Sequence, residues 1–210
     1  MHIQSNFRVQ EGSDISALFS AMKPTAVTFY PADSAIYAQG DAAGPVYFVE
    51  FGTVRICRVT ADGRRQIIAF HTAGDVFGFE AGHEHDCSAE SVDGAGIRVL
   101  RTNCNETPTG SLLKLALASL SRAQCHMLVL GRRTANERMA AFLLDLSERQ
   151  GDTNLVRLPM QRNDIADHLG VTFETVSRIL RSLKDQGVLL LRSIHEIEIL
   201  DRASLEDMCE

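Results

Sequence analysis

Two short stretches of this sequence hold residues whose types and spacing suit chemistry. The first, "GHEHDCS" at 82–88, sets His83, His85 and Cys87 at alternate positions with Glu84 and Asp86 between them. Imidazole, thiolate and carboxylate are the donors from which metal sites are built. The second, "GVTFETVSR" at 170–178, sets Glu174, Ser177 and Arg178 at i, i+3 and i+4, which places them on one face of a helix. An arginine fork there can donate to guanine O6 and N7, and a carboxylate can accept from cytosine N4. Metal chemistry and base reading are therefore the two readings that the surrounding elements must decide between.

The second stretch sits in a pattern that positions it. In "RNDIADHLGVTFETVSRILRSLKDQ" a first helix presents Ile165, Ala166 and Leu169 as an apolar face. Gly170 follows where a tight interhelical turn needs a residue tolerant of positive φ. Thr172 is a good N-cap for a second helix. In that helix Val176, Ile179, Leu180 and Leu183 share the apolar face, and Glu174, Ser177, Arg178 and Arg181 the opposite one. Polar residues in the first turn are those a recognition helix brings to base edges. Between 160 and 195 five Arg or Lys stand against four Asp or Glu, so phosphate contacts fall to few groups. Arg162, Arg181, Lys184 and Arg192 are the candidates, together with helix N-termini. Gln161, before the first helix, is a poor cap. Beyond Gly187, "VLLLRSIHEIEIL" reads as two strands around a turn near 192–195.

Upstream, residues to about 110 read as short strands, with Gly52, Gly63 and Gly74 at hairpin spacing, as in a small roll or barrel. From Ser111, about 40 residues run without proline and read as one long helix. Its Leu113, Leu117, Leu120, Gln124, Met127, Gly131 and Thr134 follow a heptad a/d spacing, which predicts a seam against a second copy. Cys125, beside that seam, reads as a small packing residue.

The bulk properties bound what this assembly can be. The chain has 210 residues, 45% hydrophobic and 23% charged, as expected of a globular protein with one large or two small domains. Its net charge of −6 argues against a nonspecific nucleic-acid binder and concentrates any DNA contact in a small patch. No run of 18 apolar residues offers a membrane span, and "MHIQSNFRVQEGSD" lacks a signal-peptide core, so a cytoplasmic location is expected. The five cysteines are scattered and never CxxC, which fits a reducing compartment.

The succession of roll, long helix, "LPMQRNDIADHLGVTFETVSRILRSLKDQGVL" and hairpin wing resembles the CRP/FNR family of transcription regulators over nearly the whole chain. The resemblance implies an α+β fold: a cyclic-nucleotide-binding-like β-roll at 1–110, a dimerisation helix at 111–148 and a winged helix-turn-helix at 149–210. "ETVSR" resembles the FNR and FixK branch, whose Glu-x-x-Ser-Arg pattern reads TTGAT-type half-sites. That maps onto Glu174, Ser177 and Arg178, with Thr172 and Phe173 at the edge of the contact; Phe173 stands where CRP carries an arginine. FNR-type iron–sulfur ligation needs several N-terminal cysteines, and none precedes Cys57. CRP holds cAMP with an arginine–serine pair, whereas this chain has acidic Glu84, Asp86 and Glu90 in that region and no arginine there. The segments "DGRRQIIAFHTAGDVFGFEAG" and "RAQCHMLVLGRRTANERMAAFLLDLSERQG" are most similar to the FixK group, which implies a homodimeric activator on a palindromic double-stranded DNA site, without a cofactor and away from membranes. The loop at 62–66 and the surface after Phe70 are the implied contacts with RNA polymerase. A remoter likeness joins His83-x-His85 and Glu90 to the first metal motif of cupins, although the second cupin motif is missing. A ligand, metal or redox gate at His83, His85 and Cys87 is the alternative to a regulator controlled only through its synthesis.

Overall fold

The computed structural model describes residues 23–101 and 109–209, which fall into two compact units divided inside a helix, between 124 and 125. Cys104 and the proline break at Pro108 lie outside the described residues.

The N-terminal unit is a roll of antiparallel strands. β1 (Lys23–Pro24), β2 (Thr28–Tyr30), β4 (Val46–Phe51), β7 (Val76–Phe77) and β9 (Ala95–Arg101) form one sheet, in the order β1-β9-β4-β7 with β2 also on β9. β3 (Ala35–Tyr37), β5 (Thr53–Val59), β6 (Arg65–Thr72) and β8 (Ser88–Ser91) form the other, in the order β3-β8-β5-β6. Strand β4, "VYFVEF", looks continuously apolar because both of its faces are covered. Tyr47 and Val49 join Tyr37, Val54, Phe77 and Ile97 inside the roll. Val46 and Phe48 point the other way, where Leu112 and Leu115 of the following helix cover them with Val76 and Leu100. Gly52, Gly63 and Gly74 all adopt positive φ in the turns their spacing predicted.

The long helix expected from Ser111 onward is two helices. α1 (Thr109–Leu130) ends at a turn over 131–134, and α2 (Ala135–Arg149) restarts with Thr134 as its N-cap, accepting from the Glu137 N–H at 3.2 Å. Gly131 and Thr134 therefore do not continue the seam: one lies in the turn and the other caps the next helix. Leu113, Leu117, Leu120 and Met127 do lie on α1, and each is at least 54% exposed in the single chain. Gln124 and Cys125 are exposed beside them. The first turns of α1 pack on the roll, whereas α2 buries Met139, Phe142, Leu143 and Leu146 in the C-terminal unit.

That unit completes itself with β10 (Leu155–Arg157), α3 (Arg162–Leu169), α4 (Phe173–Asp185), β11 (Leu189–Leu191), β12 (Glu196–Ile199) and α5 (Arg202–Asp207). The hairpin β11–β12 is the predicted wing; β10 adds a third strand on β12, and α5 closes the chain. The outer edge of β10 is held by the Gln150 side chain, which exchanges two 2.8 Å hydrogen bonds with the Arg157 backbone.

Candidate nucleic-acid interface

The two helices of the helix-turn-helix are joined as their sequence demands. Gly170 closes α3 in the left-handed conformation, φ +63°, and its N–H returns to the Ala166 carbonyl. Thr172 begins α4 as N-cap, its hydroxyl oxygen accepting from the Thr175 N–H at 3.3 Å. Gln161 begins α3 without a side-chain cap, which leaves first-turn N–H groups of that helix uncapped. Val176, Ile179, Leu180 and Leu183 are all 4% exposed or less, and Ile165, Ala166 and Leu169 match them. With seven apolar side chains buried, the opposite face of α4 has one orientation, toward solvent.

On that face Glu174, Arg178, Arg181 and Lys184 are exposed and Ser177 is half-exposed. Glu174 is held below the ordinary carboxylate range by its own backbone N–H and by the Thr172 hydroxyl, both donating to it. It therefore stands at the helix start as an acceptor. Ser177 does not stand free: the Arg162 guanidinium donates to its hydroxyl at 3.3 Å, joining an expected phosphate ligand to an expected base reader. Arg192 is likewise engaged, with Nε donating to the Glu198 carboxylate at 2.8 Å, so a phosphate must compete with that pair for it.

Asn163, Ile194 and His195, which sequence reasoning passed over, join this surface. An open groove of about 430 Å³ lies between the start of α3 and the wing turn, lined by Gln161, Arg162, Asn163, Phe173, Ile194 and His195 among others. Phe173 is 45% and Ile194 73% exposed, so two apolar side chains flank the basic one. His195 is oriented by its Nδ1, 3.0 Å from the Leu158 carbonyl. The reading of two strands around a turn near 192–195 locates the wing, but not which tip residues meet α3.

The first stretch, at 82–88, resolves differently. His83 is exposed, whereas His85 is 1% exposed, its ring stacked 3.6 Å from that of Tyr37 and its Nδ1 3.2 Å from the Glu80 carboxylate. Glu90 pairs with Arg55 at 2.8 Å. The three cupin-like residues are thus not brought to a point, and no three His, Cys, Asp or Glu among the described residues are grouped to hold a metal. The Cys87 thiol is pushed up by burial and then by the Glu80 charge, and burial raises that of Cys57 to about 11, so neither is poised as a thiolate. A cyclic nucleotide does not fit the residues present. Ser88 accepts from the Gln39 N–H at 2.9 Å, Glu84 and Asp86 face solvent, and the Arg55 guanidinium is closed between Asp33 and Glu90. Stacked rings of Tyr37, Tyr47, Phe77 and His85 fill the interior of the roll.

Among the described residues no helix is long and apolar enough to cross a membrane. Residues 27–95 match the cyclic nucleotide-binding domain family and 137–208 the Crp-like helix-turn-helix domain family. The chain is 45% identical, over 89% of its length and 88% of the relative's, to the nitrogen fixation regulation protein FixK of Rhizobium meliloti. It is 30% identical to the fumarate and nitrate reduction regulatory protein of Vibrio cholerae, over 82% of this chain and 74% of that one. Among solved structures, FixK2 of Bradyrhizobium japonicum superposes with a TM-score of 0.80 at 37% identity, over 90% of this chain and 98% of the other. A roll, a helix with an exposed apolar seam and a winged helix-turn-helix, shared with regulators at this identity, have one meaning: the chain belongs to the CRP/FNR family of transcription regulators, on its FixK-like branch.

Proposed function

We propose that the protein is a homodimeric transcription activator that reads TTGAT-type inverted repeats and controls genes of microaerobic or anaerobic respiration or of nitrogen fixation, without an iron–sulfur cluster or cAMP. The observation that carries this reading is the face of α4: Glu174, Ser177 and Arg178 in its first turns, over an apolar stripe 4% exposed or less. Dimerisation is supported by Leu113, Leu117, Leu120 and Met127, apolar and exposed at heptad spacing on α1. Two such helices paired side by side would set two copies of α4 in successive major grooves, roughly 34 Å apart. The gene class is supported by the relatives, which are regulators of nitrogen fixation and of fumarate and nitrate reduction.

The test is a gel shift in air at fixed salt, with no added ligand, on a TTGAT–ATCAA palindrome and a scrambled duplex. Specific retardation is the expected result. Its absence, with retardation restored by a small molecule or metal, would replace this reading with a gated sensor, and the 82–88 loop would be the place to look. The same assay assigns roles. Arg178→Ala should cost about 1–3 kcal/mol of specific affinity and relax choice at its guanine. Lys184→Ala should weaken binding to every duplex alike and flatten its salt dependence. Equal effects of both changes on cognate and scrambled DNA would refute the assignment.

A further inference from the structure

We propose that Arg138 is a positioning residue that sets the angle between the dimer helix and the recognition helix, and thereby the half-site spacing the protein accepts. The proposal rests on the reading above, a dimer on an inverted repeat. Arg138 lies in the first turns of α2, and its guanidinium spans two other elements. Nε and Nη2 donate to the Arg132 carbonyl at 3.2 and 3.1 Å, in the turn just past the end of α1. Nη1 donates to the Leu169 carbonyl at 3.1 Å, at the end of α3.

Both acceptors lie at the carbonyl-rich end of a helix, where the backbone lacks intrahelical donors and the macrodipole favours a cation. The guanidinium is planar and its donors are fixed in a fork, so bonding both carbonyls at once fixes their relative orientation. Around this fork the same two helices touch through side chains. The His126 ring, near the end of α1, stacks on His168 of α3 with centroids 3.9 Å apart and planes 11° apart, and Phe142 of α2 leans on His168 at 5.6 Å. A Cβ built on Gly170 would lie 3.8 Å from Arg138 Nη1 and 4.0 Å from Leu130 Cδ2. The end of α1, the start of α2 and the helix-turn-helix turn therefore meet at one joint, and Arg138 is the group that bonds both of its sides.

α3 carries α4 through buried Ile165, Leu169, Val176 and Leu180, so the pose of α3 against α1 is the pose of the recognition helix. A lateral error of about 3.4 Å at α4 is one base-pair step along the DNA. A joint that yields would let each half of the dimer settle on differently spaced half-sites.

The experiment compares the full-length protein with Arg138→Lys and Arg138→Gln. Lysine keeps the charge and the stem but cannot hold two carbonyls in one plane; glutamine removes the charge. Binding is measured on the palindrome at its preferred spacing, on palindromes one base pair shorter and longer, and on a duplex with one half-site. In both variants affinity for the preferred spacing should fall about tenfold relative to the altered ones, flattening the preference. Half-site binding should stay within about twofold. An unchanged spacing preference overturns the proposal, and so does an equal loss on half-site and palindromes accompanied by a lower melting temperature, since Arg138 would then merely hold the fold. A parent protein that treats palindrome and scrambled duplex alike refutes the functional reading and this role with it.

Discussion

The helix-turn-helix offers one perturbation in two directions, because its second helix has an N-cap and its first lacks one. Thr172 and Gln161 occupy equivalent positions with nearly the same backbone: φ −89°, ψ 157° and φ −74°, ψ 162°. A β-branched residue suits both, so Thr172→Val and Gln161→Thr exchange a hydroxyl for none and none for a hydroxyl without reshaping the turn. A Ser or Thr cap contributes about 0.5–2 kcal/mol. Thr172 is exposed and its bond to Thr175 N is a long 3.3 Å, which places its loss at the low end, roughly 0.5–1 kcal/mol. At roughly 2–4 °C per kcal/mol for a chain of this size, Thr172→Val should melt about 1–4 °C lower and Gln161→Thr higher by a similar amount. Thr172→Val has a second signature. Without that hydroxyl the Glu174 carboxyl returns toward its ordinary range, so cognate binding should fall away at a less acidic pH than in the parent. Scanning calorimetry and a pH series of gel shifts read both effects. Shifts of the same sign in the two variants, or no shift in either, would refute the capping argument. An unaltered acid limb in Thr172→Val would refute the role of Glu174 as an ionised acceptor.

Two glycines with positive φ should respond very differently to alanine. At Gly170, φ +63°, the added Cβ meets nothing closer than 3.8 Å, so Gly170→Ala should cost only the left-handed backbone, about 1–2 kcal/mol in urea denaturation. At Gly52, φ +82°, the Cβ would lie 2.1 Å from the Gly94 carbonyl oxygen, so Gly52→Ala must move backbone and should cost well over 3 kcal/mol; equal costs would sink the steric account. His126 makes stability depend on pH. Burial lowers its pKa below the ordinary imidazole value of about 6.5, so the folded chain keeps it neutral while the unfolded chain takes up a proton below that value. Its contribution is full above about pH 6.5 and is lost as the pH falls, so His126→Phe should lose less melting temperature than the parent between about pH 7.5 and 5.5. A drop as large as the parent's would assign the acid sensitivity elsewhere.

What the sequence made legible is what is decided locally. The helix-turn-helix could be read because its apolar spacing, its left-handed glycine and the cap of α4 lie within about twenty consecutive residues. The break between α1 and α2 was equally local and was misread, because Gly131 and Thr134 happened to continue a heptad count. The competing signal was present: Thr134 with Glu137 three residues on is the spacing of a capping box. Thr134 caps the Glu137 N–H, and the Glu137 carboxylate accepts from the Arg133 N–H at 3.2 Å, so the chain starts a new helix there. The setting of His85 is illegible for the opposite reason. Nothing between 82 and 88 says whether that imidazole faces solvent or core; Tyr37, brought alongside by the pairing of β3 with β8, decides it. The same holds for Arg138, which reads in the sequence as an ordinary surface cation of an amphipathic helix. Its meaning comes from two carbonyls, one 6 and one 31 residues away, that face it only once the C-terminal unit has formed. Local pattern can thus name the polar face that α4 turns to solvent, whereas a joint such as that of Arg138 with the Arg132 and Leu169 carbonyls is built by nonlocal contacts.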